Sequence, residues 1–341
     1  MKAVRFHEHG GPDVLRFEEA PEPELGPGDV LVRVRACALN HLDIWERCGL
    51  PHVQIPMPHI SGSDVAGEVV EAQAPDVAPG CRVMLQPGVS CGRCEACLSN
   101  RDNECPRYEA LGYRGHAGGY AEYVKVPVQN LIPIPDEIGF VEAAAFPLTF
   151  LTAWHMLMTR ARLTRGDDVL VLAAGSGVGQ AAIQIARMHG ARVFATAGSP
   201  RKLEQARALG ACDVIDHYAQ DISAEIMRLT NRRGVDVVIE QVGEATWSRS
   251  VRSLARGGRL VTCGATTGAN GALNLQALFA KQLTIQGSYM GTKGELMRAS
   301  RFFFTGQLKP VVDRTFPLAD AAAAQRRMEA SDQFGKIVLE V

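Results

Sequence analysis

Four cysteines lie close together in one short polar stretch of the sequence, SCGRCEACLSNRDNECPRY. They are Cys91, Cys94, Cys97 and Cys105, in the pattern C-x2-C-x2-C-x7-C. Thiolates at this spacing form a tetrahedral cage with all four positions filled by protein, as in a structural zinc site. An iron–sulfur cluster is the alternative, since C-x2-C-x2-C also begins ferredoxin motifs, but the fourth cysteine follows at a different distance. We predict one structural zinc ion per chain.

A second stretch with chemical potential is the glycine-rich turn AAGSGVG, from Ala173 to Gly179. The apolar run Val169–Leu172 before it predicts a buried strand, and the spaced apolar residues after it predict a helix. The start of such a helix can bind a pyrophosphate, because free N–H groups and the positive end of the helix dipole lie there. We therefore predict a dinucleotide site, although the glycine spacing differs from G-x-G-x-x-G. The turn residues expected to contact the cofactor are Gly175, Ser176, Gly177, Val178 and Gly179.

The residues after the next predicted strand favour NADPH over NADH. An NAD site usually places an acidic residue about 20 positions after the turn, where it binds the ribose hydroxyls. Here no Asp or Glu occurs between Val169 and Leu203, and the sequence reads ATAGSPRK. A hydroxyl and two cations, Ser199, Arg201 and Lys202, can bind a 2′-phosphate that a carboxylate would repel. The alternative is that both cations are solvated residues in the first turn of a helix.

The elements that position these residues divide the chain into two kinds of sequence. From residue 169 to residue 286, apolar runs alternate with amphipathic segments, which predicts a doubly wound parallel sheet of about six strands in an α/β fold. Ligands bind such sheets at the carboxyl ends of the strands, which adds Gly243 and Gly264 to the predicted cofactor site. Residues 1 to about 125 show frequent turn signals and short alternating runs, which predict a mostly antiparallel barrel or sandwich. The last predicted strand, Lys336–Val341, is expected to return to this first domain.

We place the first domain at residues 1–135 and 291–341 and the nucleotide-binding domain at residues 136–290. A chain of 341 residues suffices for two domains, and 46% hydrophobic and 21% charged residues are typical of a globular protein. A net charge of −1 gives no indication of a nucleic-acid or membrane partner. No apolar run approaches the ~18 residues of a membrane span, and the N-terminus lacks the apolar core of a signal peptide. These features predict a cytoplasmic protein.

Taken together, these motifs resemble the medium-chain dehydrogenase/reductase superfamily over nearly the whole chain. The resemblance also rests on the segments GGYAEYVKVP, RGGRLVTCG and FGKIVLEV. It implies a GroES-like β-barrel domain together with a Rossmann domain, and oxidoreduction with a nicotinamide cofactor. It further implies that His41 lies near the cofactor pyrophosphate, His217 near the adenosine ribose, and Thr152 at the nicotinamide or its ribose.

The zinc alcohol dehydrogenases of that superfamily hold a second, catalytic metal, and this sequence lacks its ligands. At the positions that the resemblance assigns to the cysteine, histidine and cysteine of that site, the chain has Asn40, Ser63 and Leu148. This pattern is similar to the quinone oxidoreductase branch, which reduces quinones or activated alkenes with NADPH and without catalytic zinc. That branch usually lacks the four-cysteine lobe, so the sequence combines features of both branches.

The leading hypothesis is NADPH-dependent reduction of a quinone or an α,β-unsaturated carbonyl compound by hydride transfer without catalytic zinc. Negative charge develops on the acceptor's oxygen as hydride adds, and Asn40 is our candidate for the donor that stabilises it. Asp43 is the second candidate catalytic residue, with the role of orienting neighbouring groups. The apolar strand Leu283–Tyr289 resembles an edge that the family pairs across subunits, which implies a homodimer or homotetramer.

Two alternatives to this hypothesis remain open. One is an NAD(P)-dependent alcohol dehydrogenase that acts without zinc or through a rebuilt metal site, with His41, Asp43, His59 and Asp64 as imaginable ligands. The other is an NADPH-binding protein without turnover, like the members of this branch that serve as lens crystallins.

Overall fold

The structure is a computed structural model that describes residues 1–74 and 76–341. The chain forms two compact units: Met1–Leu148 with Thr292–Val341, and Thr149–Gly291. Among the described residues, no helix combines the length and the apolar character needed to cross a membrane.

The strands, in chain order, are β1 (Lys2–Arg5), β2 (Arg16–Glu19), β3 (Asp29–Ala38), β4 (Asp64–Ala72), β5 (Arg82–Leu85), β6 (Gly88–Val89), β7 (Glu109–Ala110), β8 (Tyr123–Pro127), β9 (Leu131–Pro133), β10 (Asp168–Val171), β11 (Arg192–Ala197), β12 (Asp213–Asp216), β13 (Val235–Glu240), β14 (Leu254–Thr262), β15 (Thr284–Gly287), β16 (Val312–Pro317) and β17 (Lys336–Glu340). The α-helices are α1 (His41–Cys48), α2 (Glu95–Leu98), α3 (Phe140–Ala145), α4 (Pro147–Trp154), α5 (Gly177–Met188), α6 (Pro200–Leu209), α7 (Ile222–Leu229), α8 (Glu244–Arg252), α9 (Leu275–Ala280), α10 (Lys293–Phe304) and α11 (Ala321–Glu329). A π-helix, His155–Arg160, follows α4, and short 3-10 helices cover Pro12–Val14, Asp102–Glu104, Val128–Asn130 and Leu318–Asp320.

The first unit is organised around the long strand β3. Its main sheet has the order β16-β17-β3-β4-β5-β9, with β8 also paired to β3. Apart from the parallel pair β16–β17, neighbouring strands in this sheet are antiparallel. Val30, Val32 and Val34 are buried in the core, as their alternation predicts. The last strand, β17, pairs with β3, which confirms that the chain returns to the first unit.

The second unit contains the predicted parallel sheet. Its order is β12-β11-β10-β13-β14-β15, and all neighbours are parallel, so the prediction of a doubly wound sheet of about six strands is confirmed. All four residues of β10 are buried, as expected for a central strand covered on both faces.

The boundary between the units lies further along the chain than the predicted residue 136. Helix α3 packs against β3 and β4, and its three alanines, Ala143–Ala145, are fully buried there. Residues 136–148 therefore belong to the first unit by their contacts. The residues around Leu148 consequently share a unit with α1 and β4, which matters for the site described next.

Candidate active site and cofactor site

Asn40 and Asp43 lie at the start of helix α1, directly after strand β3. Both are buried, and Asp43 Oδ2 accepts a hydrogen bond from the Asn40 backbone N–H at 2.8 Å. The same oxygen accepts from the hydroxyl of Tyr120 at 3.0 Å. Because Asp43 binds the backbone at the first turn, it fixes how the chain enters α1 and thereby where Asn40 stands. Asp43 is therefore bonded directly to the backbone of the other candidate residue, Asn40.

An ammonium group contacts the Asn40 side chain, and the sequence analysis did not identify it. Lys336, the first residue of β17, donates from Nζ to Leu39 O at 2.6 Å, to Asn40 Oδ1 at 2.7 Å and to Asp64 Oδ2 at 2.9 Å. Asn40 Nδ2 in turn donates to Asp64 Oδ2 at 3.0 Å. The Lys336 and Asp64 side chains are 2% and 0% exposed. We call Asn40, Asp64 and Lys336 the Lys336 cluster.

Of the three positions at which the resemblance leads one to expect catalytic metal ligands, one lies in the Lys336 cluster and a second is hydrogen-bonded to it. Asn40 belongs to it directly, and the backbone N–H of Leu148 donates to Asp64 Oδ1 at 2.7 Å. Ser63, adjacent to Asp64, is buried, and its hydroxyl has no hydrogen-bond partner. Both oxygens of Asp64 are thus bonded within the protein, one of them to a cation.

The structure does not assemble the alternative metal site. His41 is exposed, and its ring contacts the Trp45 ring edge-on, with 5.7 Å between the centroids. His59 Nε2 is 2.8 Å from the carbonyl oxygen of Gly112. Within residues 1–74 and 76–341, the one group of three or more potential ligands close enough to share a metal ion is the cysteine set.

Two buried acids lie on the inner face of α1. The pKa of Asp43 is raised from 3.8 to about 7: burial is the largest cause and the charge of the neighbouring Glu46 adds to it, while the hydrogen bonds of Asp43 and the charge of Lys336 oppose the rise. Burial also raises the pKa of Glu46 well above its usual range, although the Ser61 hydroxyl donates to it at 2.9 Å. Both carboxyl groups therefore keep their protons to a higher pH than exposed acids do.

A buried arginine anchors the same helix from its other end. Arg47 is fully buried, and its Nε donates to Gln325 Oε1 at 2.6 Å. Its other nitrogens donate to Gly10 O and to Glu329, so the guanidinium joins α1 to α11 and to the N-terminal segment. This contact has no local signal in the sequence, because Arg47 and Gln325 lie 278 positions apart.

The glycine-rich turn stands at the carboxyl end of β10, where α5 begins. Ser176 is the N-cap of α5, and its hydroxyl oxygen accepts from the Gly179 N–H at 2.9 Å. A Cβ on Gly179 would lie 2.3 Å from the carbonyl oxygen of Ala173, so only glycine allows this packing. Val178 lies in the first turn of the helix. The predicted strand, turn and helix are all present.

Gly243 and Gly264 lie at the same edge of the sheet, after β13 and β14. Gly243 has a φ of +92°, and a Cβ there would lie 2.6 Å from Gly268 O. A Cβ on Gly264 would lie 3.0 Å from Gln241 O. Thr152, for which the resemblance implied a contact with the nicotinamide, is buried in α4.

The end of β11 carries cations and lacks an acid, as its sequence predicts. Ser199 is the N-cap of α6, and its hydroxyl oxygen accepts from the Lys202 N–H at 3.4 Å. Burial lowers the pKa of the half-buried His217, and the positive charges of Arg249 and Lys202 lower it further against the effect of Asp216. Arg249, in α8, therefore contributes to the positive potential here. Sequence reasoning missed it because α8 lies two strands further along the chain.

The four cysteines form a compact lobe around α2. Their Sγ atoms all lie within 4.8 Å of one another, with 3.5 Å between Cys94 and Cys97 and 3.8 Å between Cys91 and Cys97. Four sulfurs placed tetrahedrally about zinc at about 2.3 Å are separated from one another by about 3.8 Å. The donor type and spacing therefore fit a closed structural zinc site that includes Cys105.

Comparison with known families accounts for both units. Residues 26–136 match the family model described as alcohol dehydrogenase GroES-like domain, and residues 177–305 match the one described as zinc-binding dehydrogenase. The chain therefore belongs to the medium-chain dehydrogenase/reductase superfamily and has its fold, as predicted. It is an NAD(P)H-dependent oxidoreductase of the quinone oxidoreductase-like type.

Individual relatives of this protein have different activities. Quinone oxidoreductase of Rattus norvegicus is 30% identical, covering 99% of this chain and 97% of that protein. The 2-haloacrylate reductase of Burkholderia sp is also 30% identical, over 99% and 98%. A solved structure described as an NAD-dependent alcohol dehydrogenase is 47% identical over 100% of both chains, with a TM-score of 0.96.

Proposed function

We propose that this protein reduces a quinone or an α,β-unsaturated carbonyl compound with NADPH, by hydride transfer without a catalytic metal. The observation that carries the proposal is the Lys336 cluster. Its ammonium, carboxylate and amide bind one another at the place for which the resemblance leads one to expect a catalytic zinc site.

Oxidation of an alcohol requires its hydroxyl proton to leave as hydride departs. Zinc assists this step by lowering the pKa of a bound oxygen from about 16 towards 7. The cluster offers no equivalent, because Lys336 has three acceptors within the protein and Asp64 is bonded through both oxygens. A conjugated acceptor spreads the incoming negative charge, so a neutral hydrogen-bond donor suffices. The names of the quinone oxidoreductase and 2-haloacrylate reductase relatives support this choice.

Asn40 is the residue we assign to the acceptor's oxygen. One N–H of its Nδ2 is bound to Asp64 at 3.0 Å, and its remaining contact, to Ala38 O, is long at 3.5 Å. A developing oxyanion can therefore compete for the second N–H. Asp43 holds the Asn40 backbone in place, and water supplies the proton that completes the reduction.

NADPH, when bound, supplies the hydride. The residues that would hold it are in the second unit: the turn from Gly175 to Gly179 for the pyrophosphate, and Ser199, Arg201 and Lys202, joined by Arg249, for the 2′-phosphate. His217, Gly243, Gly264 and Thr152 complete this set, and we assign His41 of the first unit to the pyrophosphate. The four cysteines would hold one structural zinc ion.

We also propose that the protein is a homodimer or homotetramer. Strand β15 is at the edge of the six-stranded sheet, so one side of its backbone is available for pairing. Phe279 and Tyr289, on either side of this strand in sequence, are 72% and 56% exposed. An exposed edge with apolar neighbours fits pairing with a second copy.

An alcohol dehydrogenase is the second candidate, because the structure that is 47% identical to this chain is described as an NAD-dependent alcohol dehydrogenase. The deciding experiment measures initial rates with 1,4-naphthoquinone and cinnamaldehyde plus NADPH or NADH, and with ethanol and benzyl alcohol plus NADP+ or NAD+. Each rate is measured before and shortly after addition of a chelator. We expect the conjugated acceptors to react fastest with NADPH, with initial rates unchanged by the chelator. Faster oxidation of an alcohol that stops at once with chelator contradicts the proposal and supports the second candidate.

A further inference from the structure

The Lys336 cluster determines which end of the Asn40 amide faces which neighbour. The carbonyl and amino ends of an asparagine side chain have nearly the same shape, so packing alone does not fix which way the amide points. An ammonium has only donors and therefore bonds to Oδ1, as Lys336 does at 2.7 Å. An ionised carboxylate has only acceptors and therefore bonds to Nδ2, as Asp64 does at 3.0 Å.

The flipped amide is excluded for the same reason. It would place the amino group against the Lys336 ammonium and the carbonyl oxygen against the Asp64 carboxylate, so both hydrogen bonds would become repulsive contacts. The exclusion is strong because the side chains of Lys336 and Asp64 are almost fully buried, where water cannot screen the contacts. Lys336 itself has no N–H left for a substrate, since its three donors are bound to Leu39, Asn40 and Asp64.

We propose that Lys336 is a positioning residue of the active site, which acts together with Asp64 to keep the amino end of Asn40 available to the acceptor's oxygen. The inference rests on the proposed function, in which Asn40 is the donor. It adds that donor orientation is imposed by a charged pair whose two members come from distant parts of the chain, and that Lys336 affects turnover without contacting the substrate.

The test is a set of variants measured for unfolding, NADPH affinity and steady-state kinetics with naphthoquinone. The double variant K336M/D64N removes both charges together, so neither charge is left buried without its partner. Asparagine at position 64 offers both a donor and an acceptor, so the Asn40 amide is no longer forced into one orientation. We expect the double variant to fold and to bind NADPH as the wild type does, with kcat at least tenfold lower.

Two further variants separate this inference from the proposed function. N40A should lose about a hundredfold in kcat, as expected for removal of an oxyanion donor. Adding K336M/D64N to N40A should then cause no further loss, because the pair acts through Asn40. K281M is the matched control: Lys281 donates to Leu254 O in the second unit, and its loss should leave kcat unchanged.

Each result has a definite meaning. If N40A is impaired while K336M/D64N keeps wild-type kcat, the positioning role is wrong and the proposed function stands. If N40A turns over normally, the donor assignment fails, and this inference fails with it. Should K336M/D64N not fold, K336Q replaces it, because its amide can still donate to Asp64 yet can present either end to Asn40. Wild-type kcat in K336Q would then overturn the inference, and a fall of tenfold with unchanged NADPH affinity would support it.

Discussion

The cysteine lobe and the Lys336 cluster both gather polar side chains into a small volume, but their negative charges are balanced in different ways. Thiolates that bind a metal repel one another, so under the proposed zinc assignment the lobe takes its cation from outside the chain. The cluster contains its own cation, since the Lys336 ammonium is bound to Asp64 at 2.9 Å. In this chain, the positive charge beside Asn40 is therefore carried by a side chain.

The two regions also differ in how far apart their residues lie in sequence. All four cysteines lie within Cys91–Cys105, so their spacing can be recognised directly. Asn40 and Lys336 are separated by 296 positions and meet only because β17 pairs with β3. A local site is therefore visible in the sequence, whereas an assembled one depends on the sheet topology.

The largest effect on stability is expected from a substitution in the cysteine lobe. C94S should abolish zinc binding and lower the free energy of unfolding by several kcal/mol, since a structural zinc ion contributes on the order of 10 kcal/mol. Elemental analysis and denaturant unfolding measure both quantities. C212S is the control, because Cys212 is exposed and outside the lobe. The wild type should contain one zinc ion per chain. Two zinc ions per chain would contradict the statement that only the lobe takes a cation from outside the chain.

A smaller effect on the free energy of unfolding is expected from the two buried acids of α1, and it comes from protons that the chain binds rather than from a metal ion. Because the pKa of Asp43 is about 7 when folded and 3.8 as its ordinary value, the unfolded chain releases this proton first as pH rises. The free energy of unfolding should therefore fall between about pH 4 and pH 7, by up to about 4 kcal/mol from Asp43. D43N should flatten the decline, with a residual slope of the same sign from Glu46.

Urea unfolding at half-unit pH intervals measures this prediction. D136N is its control, because Asp136 is 95% exposed. If the free energy of unfolding depends on pH in the same way in wild type and D43N, the proton of Asp43 does not affect stability. The pH dependence would then not distinguish the region of the Lys336 cluster from the cysteine lobe.

The smallest effect is expected at the end of β11, where Ser199, Arg201 and Lys202 form a second site whose residues lie close together in sequence. K202A should weaken NADPH binding roughly ten- to a hundredfold, the equivalent of about 1.5–3 kcal/mol for one charge-assisted contact, and leave NADH binding and unfolding unchanged. R207A is the control, since Arg207 lies in the last turn of the same helix. Fluorescence titration with both cofactors provides the measurement. Equal losses for the two cofactors, or equal affinities in the wild type, would contradict the assignment of the 2′-phosphate site.

The features that could be predicted from the sequence are mostly those whose residues lie close together in the chain. The parallel sheet, the turn at Gly175–Gly179 and the cysteine spacing depend on residues close in sequence, and the structure contains all three elements. Asn40 and Asp43 were also identified, but not their partners. The segment FGKIVLEV predicts a strand, but the sequence alone does not show that the first residue of this strand, Lys336, is buried. A buried charge requires a partner. The contact of Arg47 with Gln325 was not predicted for the same reason. The periodicity of a helix indicates which face is buried, but it does not indicate which distant residue each side chain contacts.

The pairing of β17 with β3 has a consequence for biosynthesis. Asp64 and Asn40 leave the ribosome early, while Lys336 is made 272 and 296 positions later, after the entire second unit. At about 5–20 residues per second, the interval is roughly 15–60 seconds. During that time Asp64 lacks the Lys336 ammonium that binds it in the folded chain, and β3 lacks its neighbour β17. Newly made chains should therefore complete their nucleotide-binding unit first and become competent for turnover last.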